Sequence, residues 1–302
     1  MPPAPIAAKP SAARVVAPVL GALALLYFAQ GVPFGIATEY LTVRLRRAQF
    51  TQFQLFLVGF LQLPWYLKTL WAHIGDLPFA RRQSRRILLA LQLGLSLGTA
   101  FFALRPLDEA RTYWFLLTIA CALFAATQDI FVDALAVRTL GPADRGLGNI
   151  LQVAGYRVGM IAGGSLLLTL TAKIGESIAV QIAAALILLA SLGAFVLRER
   201  GASAIEAAPV EKHAPARLPV LALLKHMTSS GAWPVLAVAL TYKLGIHTAS
   251  GLIKPMTVDY GWSDARIGTV ITTIGISAAL LGALAGGLVY RPLGEARALR
   301  LG

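Results

Sequence analysis

Charged residues are scarce in this chain of 302 residues, and that scarcity limits what the chain can be. Asp, Glu, Lys and Arg occupy only 14% of the positions, whereas about 25% is usual for soluble domains. Hydrophobic residues make up 57% of the chain, and the mean hydropathy is +0.69. So little polar surface cannot cover a water-soluble globule, and the composition therefore predicts an integral membrane protein whose partner is the lipid bilayer.

Cysteine and the common catalytic motifs are almost absent. Cys121 is the single cysteine, so it has no internal disulfide partner, and no spacing of Cys and His suits a metal. The sequence contains no P-loop, HExxH, G-x-S-x-G or dinucleotide-binding motif. We therefore expect no metal and no cofactor, and a membrane-embedded enzyme is a rival reading with little to support it.

Acidic residues are outnumbered by basic ones, 14 to 27, which gives a formal net charge of +13. The basic residues stand in short clusters between apolar runs, as topology signals and lipid-headgroup contacts do, so no nucleic-acid partner is expected. With the N-terminus in the cytoplasm, 16 of the 27 Lys and Arg residues fall inside and 8 outside, the other three lying within helices. This bias predicts a cytoplasmic N-terminus, although the basic cluster at 44–47 falls outside.

Eight apolar runs approach the ~20 residues that span a bilayer. The first contains 24 residues without a charge, which exceeds a signal-peptide core and predicts a retained helix. The runs therefore predict an all-α membrane protein with about eight transmembrane helices, at 15–38, 48–67, 87–104, 112–137, 148–172, 177–197, 232–256 and 267–290.

The spacing of these runs predicts a transporter with two halves. Residues 1–197 would form a six-helix N-terminal half, and the charged, proline-containing residues 198–230 a cytoplasmic linker. Residues 231–302 would hold helices seven and eight as a partial C-terminal half. A twelve-helix layout would require four more helices, so on this interpretation the sequence is truncated.

Helices four and five carry charges at membrane depth, where each charge is costly and commonly functional. Asp129 and Asp133 are four residues apart and share one helix face. Asp129 lies ~13 Å from the cytoplasmic end and Arg157 ~14 Å, at 1.5 Å per residue. The matched depths predict an Asp129–Arg157 ion pair. One arginine neutralises one aspartate, so Asp129 and Asp133 are candidates for proton coupling. The alternative is a buried pair that only fixes helix packing.

Four further polar side chains are candidates for contacts with a solute. Arg157 and Lys68 suit anionic groups, although Lys68 is also placed to extend toward the membrane interface. Gln30 precedes the stretch GVPFG at 31–35, where Gly and Pro either unwind or merely kink the helix. Gln128 adjoins the helix-four carboxylates. Other polar residues are expected to serve packing or the membrane interface, namely Lys243, His247 and Glu39.

Helix five also carries Gly155, Gly159 and Gly163 at four-residue spacing. This small-xxx-small pattern predicts close contact with a neighbouring helix. Arg157 lies about 160–200° around the helix from Gly155 and Gly159, so we expect it to face a different environment.

Four stretches resemble the major facilitator superfamily, and specifically its AmpG-like branch of muropeptide and siderophore permeases. The stretches are YFAQGVPFG (27–35), LPWYLKTLWAHIGD (63–76), ATQDIFVDALAVRTL (126–140) and RGLGNILQVAGYRVGM (145–160). The residues in these stretches resemble the siderophore permeases slightly more than the muropeptide permeases. The sequence departs from the family's loop after helix two, because Asp76 is followed by Leu77 and Pro78 where an Asp-Arg step is usual.

The resemblance implies alternating access driven by the proton gradient, with the solute bound between two halves. It therefore implies uptake of a siderophore or muropeptide, an anionic solute being one possibility, across the bacterial inner membrane. Two alternatives remain open: an inactive truncated fragment of such a permease, and the membrane-embedded enzyme.

Overall fold

The computed structural model describes residues 12–140, 145–196 and 233–282, and every regular element within these ranges is helical. Within these ranges, eight helical segments, named α1 to α8, follow one another, with a short additional helix at Pro78–Arg82 between α2 and α3. Six of them are long and apolar enough to cross a membrane: Ala17–Arg47, Ser84–Leu104, Arg111–Thr139, Gly146–Ile174, Glu176–Phe195 and Asp264–Gly282. The prediction of an all-α membrane protein is confirmed.

Three helices contain a π-helical segment. In α1, Ala12–Gly35 and Leu41–Arg47 flank the π segment Ile36–Tyr40. In α5, Arg145–Ile161 and Leu167–Ile174 flank Ala162–Leu166. In α8, Asp264–Ile267 precedes Gly268–Ile274. The π segment of α5 contacts those of α1 and α8. Segments of π-helix are rare in proteins, and those that occur are frequently found at functional sites. The junction of the three segments is therefore a candidate functional region.

The second segment, α2, differs from the continuous span predicted at 48–67. It begins at a capping box formed by Thr51 and Gln54 and then alternates between short α- and 3-10-helical pieces. Pro64, which has no backbone N–H to donate, lies at the start of the third piece. The pieces are Gln52–Val58, Gly59–Gln62, Leu63–Leu67, Lys68–Leu70 and Ala72–Asp76.

The remaining helices are more regular. A short helix, Pro78–Arg82, leads to α3, which comprises Ser84–Phe101 and a 3-10 turn at Phe102–Leu104. Helix α4 runs over Arg111–Thr139, α6 comprises Glu176–Ala190 and Leu192–Val196, and α7 runs over Trp233–Asp259.

Helix α1 is the centre of the bundle, packing against α4, α5 and α6. Its closest neighbour is α5, along the predicted glycine seam. A Cβ atom at Gly159 would overlap the carbonyl oxygen of Phe28, and one at Gly163 would overlap that of Val32. The prediction of a close helix contact is confirmed, and α1 is the partner. The predicted linker 198–230 and the N-terminal residues 1–11 lie outside the described residues, so the domain boundaries stay predictions.

Candidate functional site

The buried carboxylate Asp129 of α4 pairs with Lys68 of α2. Lys68 Nζ donates to Asp129 Oδ2, with side chains 30% and 6% exposed. The 3-10 piece that carries Lys68 packs directly on α4, so the amine reaches the carboxylate without extending to the membrane interface. An ion pair offsets part of the cost of holding either charge in an apolar bundle.

The predicted Asp129–Arg157 pair is therefore wrong. Equal depth places two residues at one level of the membrane, but it does not rotate their helices toward each other. The glycine seam holds α5 against α1, whereas α2 packs on α4. Arg157 is half-buried and forms no ion pair with any side chain that the structure describes.

The second carboxylate, Asp133, accepts hydrogen bonds from neutral side chains and has no ion pair with a side chain that the structure describes. The Tyr27 hydroxyl of α1 donates to Asp133 Oδ1 at 2.7 Å, and Gln152 Nε2 of α5 donates to the same oxygen at 3.0 Å. The two neighbouring carboxylates thus have different ligands, a cation for Asp129 and neutral donors for Asp133. Together they connect α1, α2, α4 and α5.

Tyr27 and Gln152 were not among the candidates from the sequence. Tyr27 begins the stretch YFAQGVPFG, and Gln152 is a polar residue within the apolar run 148–172. Their polarity at membrane depth was the available signal. Only the packing of α1, α4 and α5 shows that both side chains meet one carboxylate.

Two buried glutamines lie on the helices of this cluster: Gln128 adjoins Asp129 on α4, and Gln30 follows Tyr27 by three positions on α1. Gln128 is fully buried and donates to the carbonyl oxygen of Leu26 at 3.2 Å, while its Oε1 has no hydrogen-bond partner among the described residues. Gln30 is also fully buried, and neither of its amide atoms has such a partner. Since buried amides are normally hydrogen-bonded, these groups have capacity to bind a polar molecule.

Three aromatic rings form a wall beside Lys68. Phe34 of α1, Trp65 of α2 and Tyr156 of α5 have ring centroids 5.4 to 6.0 Å apart in every pairing. Lys68 Nζ lies 5.3 Å from the Trp65 centroid, within range of a cation–π contact. The amine therefore lies between a carboxylate and an aromatic face.

A cleft of about 490 Å³ opens between α2 and α4 beside the carboxylates. Charged Lys68, Asp133 and Arg138 line it together with small or apolar residues, among them Ala72, Gly75 and Ala134. The Lys68–Asp133 region is thus connected to open space, while Asp129 is buried. Among the described residues, no group of three His, Cys, Asp or Glu side chains is arranged to hold a metal ion.

The basic cluster at 44–47, which conflicted with the orientation rule, is neutralised by acidic partners. Arg44 pairs with Asp108 at 3.1 Å, Arg46 with Asp259 at 2.7 Å, and Arg47 with Asp264 at 3.0 Å. The Arg46 guanidinium, which binds both oxygens of Asp259, lowers the pKa of that exposed carboxyl below its usual range.

Glu39 was expected at the membrane interface, and that expectation is wrong. The side chain is 8% exposed and contacts residues of α7 and α8. The side chains of Lys243 and His247 lie outside the described part of the chain.

Comparison with known proteins assigns the family. The model of the Major Facilitator Superfamily matches residues 18–302. The anhydromuropeptide permease of Escherichia coli K12 is 30% identical over 290 residues, which cover 92% of this chain and 56% of that protein. An uncharacterized protein of Haemophilus influenzae is 27% identical over 281 residues, covering 91% of this chain and 65% of that protein.

A third relative, the putative transporter AmpG 4 of Rickettsia felis, is 23% identical over 283 residues, covering 91% of this chain and 68% of that protein. The chain spans about half the length of the E. coli relative. No solved structure gives a significant match.

The chain therefore belongs to the Major Facilitator Superfamily, and its relatives place it in the AmpG-like branch. It is a multi-pass membrane protein of a transporter family, and the interpretation as a membrane-embedded enzyme is wrong.

Proposed function

We propose that this protein takes up a solute of the anhydromuropeptide or siderophore type across the bacterial inner membrane, with its N-terminus in the cytoplasm and with protons as the coupling ion. One observation carries the proposal. Two carboxylates with different ligands, Asp129 paired with Lys68 and Asp133 bonded by Tyr27 and Gln152, lie inside an apolar bundle next to a cleft.

The carboxylates have separate roles in this proposal. Asp133 is the proposed proton carrier, because it lines the cleft, whereas Asp129 is buried against Lys68. Asp129 keeps Lys68 in place until an anionic group of the solute competes for the amine. Protonation at Asp133 and the transfer of Lys68 to the solute would then occur within one cluster that joins four helices.

The aromatic wall and the two glutamines favour a solute with rings and amides. The aromatic wall of Phe34, Trp65 and Tyr156 offers faces for sugar or catechol rings, and Gln30 and Gln128 offer amide groups. Lys68 and Arg157 suit carboxylates of the solute. The name of the E. coli relative, an anhydromuropeptide permease, makes that solute class the first to test.

Purified protein in proteoliposomes tests the substrate. The interior is held at pH 7.5 and the exterior at pH 5.5, and the probes are a radiolabelled anhydromuropeptide and a ferric siderophore. We expect accumulation of the anhydromuropeptide, lost on addition of a protonophore. Accumulation of the siderophore alone would reassign the solute, and accumulation of either probe that is unaffected by the protonophore would contradict proton coupling.

A matched pair of carboxamide variants tests the site. Asp133→Asn should abolish accumulation, while Asp108→Asn, an identical chemical change in an exposed residue outside the cluster, should leave it intact. Equal uptake by the two variants would remove Asp133 from the site.

A further inference from the structure

Helices α3 and α6 form an antiparallel pair at the surface of the bundle. Gln92 Nε2 of α3 donates to the carbonyl oxygen of Ile187 at 2.6 Å, and Ser96 Oγ donates to that of Ala184 at 2.9 Å. Both donors are buried, and hydrogen bonds of this kind join neighbouring transmembrane helices. Because they fix how the two helices are rotated, they also determine which side chains point away from the bundle.

The outward side of this pair is apolar over much of its length. Leu93 and Leu97 of α3 and Leu188, Leu192 and Phe195 of α6 are each between 48% and 56% exposed. Their spacing of three or four positions places them on one face of each helix. In a membrane protein such a face contacts acyl chains, which are as apolar as leucine. The pair therefore offers lipid two apolar strips side by side.

Three arginines lie at the end of the pair where α3 begins and α6 ends. Arg82 closes the short helix before α3, and Arg85 and Arg86 lie in the first turn of α3. The guanidinium of Arg85 lies over the ring of Phe195, 4.9 Å from its centroid, in a cation–π contact. Arg82 and Arg86 are exposed, and none of the three arginines forms an ion pair with a side chain that the structure describes.

This lack of acidic partners distinguishes the three arginines from the basic cluster at 44–47, where each arginine pairs with a carboxylate. Arg85 and Arg86 also occupy a position where the dipole of α3 disfavours positive charge. Neither ion pairing nor the helix dipole thus accounts for three positive charges at this place. An anion from outside the chain would neutralise them.

We propose that this end of the α3–α6 pair binds an anionic phospholipid with two phosphate groups, of the cardiolipin type. Arg82, Arg85 and Arg86 bind the phosphates, and the acyl chains lie along the apolar strips of α3 and α6. Charge complementarity carries the proposal, because a guanidinium group donates paired hydrogen bonds to phosphate oxygens and three of them stand within five positions. Basic pockets between transmembrane helices on the cytoplasmic side suit such headgroups, and the orientation prediction places this end in the cytoplasm.

Native mass spectrometry of the purified, delipidated protein in detergent measures lipid binding directly. We expect cardiolipin to bind more tightly than phosphatidylglycerol supplied at the same phosphate concentration. Arg86→Gln should weaken cardiolipin binding by about fivefold, the effect of removing one arginine beside an anionic headgroup. Because Arg86 is exposed and has no ion pair with a described residue, its replacement should leave the fold intact.

Arg105→Gln is the matched control, since Arg105 is an exposed arginine at the other end of α3 and has no ion pair with a side chain in the described ranges. It should leave cardiolipin binding unchanged. Equal weakening by the two variants would show attraction to net charge alone and would overturn the site. Equal affinity for phosphatidylglycerol would overturn the occupant with two phosphates. Displacement of cardiolipin by an equal concentration of pyrophosphate would assign the site to a free anion instead.

Fluorescence quenching tests where the lipid lies. Phe195→Trp keeps an aromatic ring beneath Arg85, and equimolar cardiolipin with brominated acyl chains should quench the emission that this variant adds to that of the unmodified protein. Leu116→Trp, at an exposed apolar position in the second turn of α4, is the control and should show no such quenching. Equal quenching at both positions would contradict the proposed place of binding. Since no solute is present, the outcome is independent of the uptake proposal.

Discussion

Removal of the Lys68 amine should destabilise the protein more than removal of the charge of Asp129, Asp133 or Arg157. Lys68→Met would leave Asp129, whose side chain is 6% exposed, without its cation. Breaking a buried pair costs about 3–5 kcal/mol. Since the Lys68 side chain keeps 30% exposure, water screens part of its charge, and the lower end of that range, about 3 kcal/mol, is expected.

Thermal unfolding of the purified protein measures this effect. A loss of about 3 kcal/mol corresponds to a fall in Tm of roughly 5 °C for a chain of this size. The double change Lys68→Met with Asp129→Leu should recover most of that loss, because apolar residues of similar volume replace both charges.

Arg157→Gln is the matched control, since Arg157 forms no ion pair with a described residue, and it should lower Tm by about 1 °C. If Arg157→Gln costs more than Lys68→Met, and removal of Asp129 rescues the arginine variant alone, the assignment of Lys68 as partner is refuted.

Three further predictions follow from packing, pH and topology. Gly159→Ala should lower stability by about 1–3 kcal/mol, because the added methyl group overlaps the backbone of α1; thermal unfolding measures it, and an unchanged Tm would contradict the seam. Because the pKa of the Asp259 carboxyl is lowered, its pair with Arg46 stabilises the fold above the unfolded-state pKa, and this stabilisation is lost as the pH falls through the folded-state pKa. A carboxyl-carbon NMR titration should show the ordinary pKa of an aspartate for Asp259 in Arg46→Gln. Identical titrations of the variant and the unmodified protein would refute the pair. A cysteine at Ala207, in the predicted cytoplasmic linker, should not react with an impermeant reagent in intact cells, and labelling there would reverse the predicted orientation.

The composition and the apolar runs predicted the fold class because spanning a bilayer imposes a length and a polarity on each helix. The glycine seam was predicted for a similar reason, since small residues at four-residue spacing form a flat stripe whatever helix faces them. The spacing could not name α1 as that helix, because the identity of a neighbour depends on the packing of the whole bundle.

The polar partners were harder to predict. Depth along a helix follows from counting residues. The partner of Asp129 depends in addition on how each helix is rotated and on the short helical pieces of α2, and these bring Lys68, not Arg157, to the carboxylate. The prediction for Glu39 was wrong because its position near the end of an apolar run indicated contact with lipid headgroups. Its burial results from α7 and α8 folding back onto α1, which are contacts across more than 200 positions of sequence.

Proton movement accompanying the solute is the most direct test of the account. Proteoliposomes loaded with the pH-sensitive dye pyranine, at equal pH inside and outside, would receive an anhydromuropeptide gradient directed inward. We expect acidification of the interior as the solute enters, and no acidification in Asp133→Asn. Entry of the solute into vesicles of the unmodified protein without a change of internal pH would contradict it.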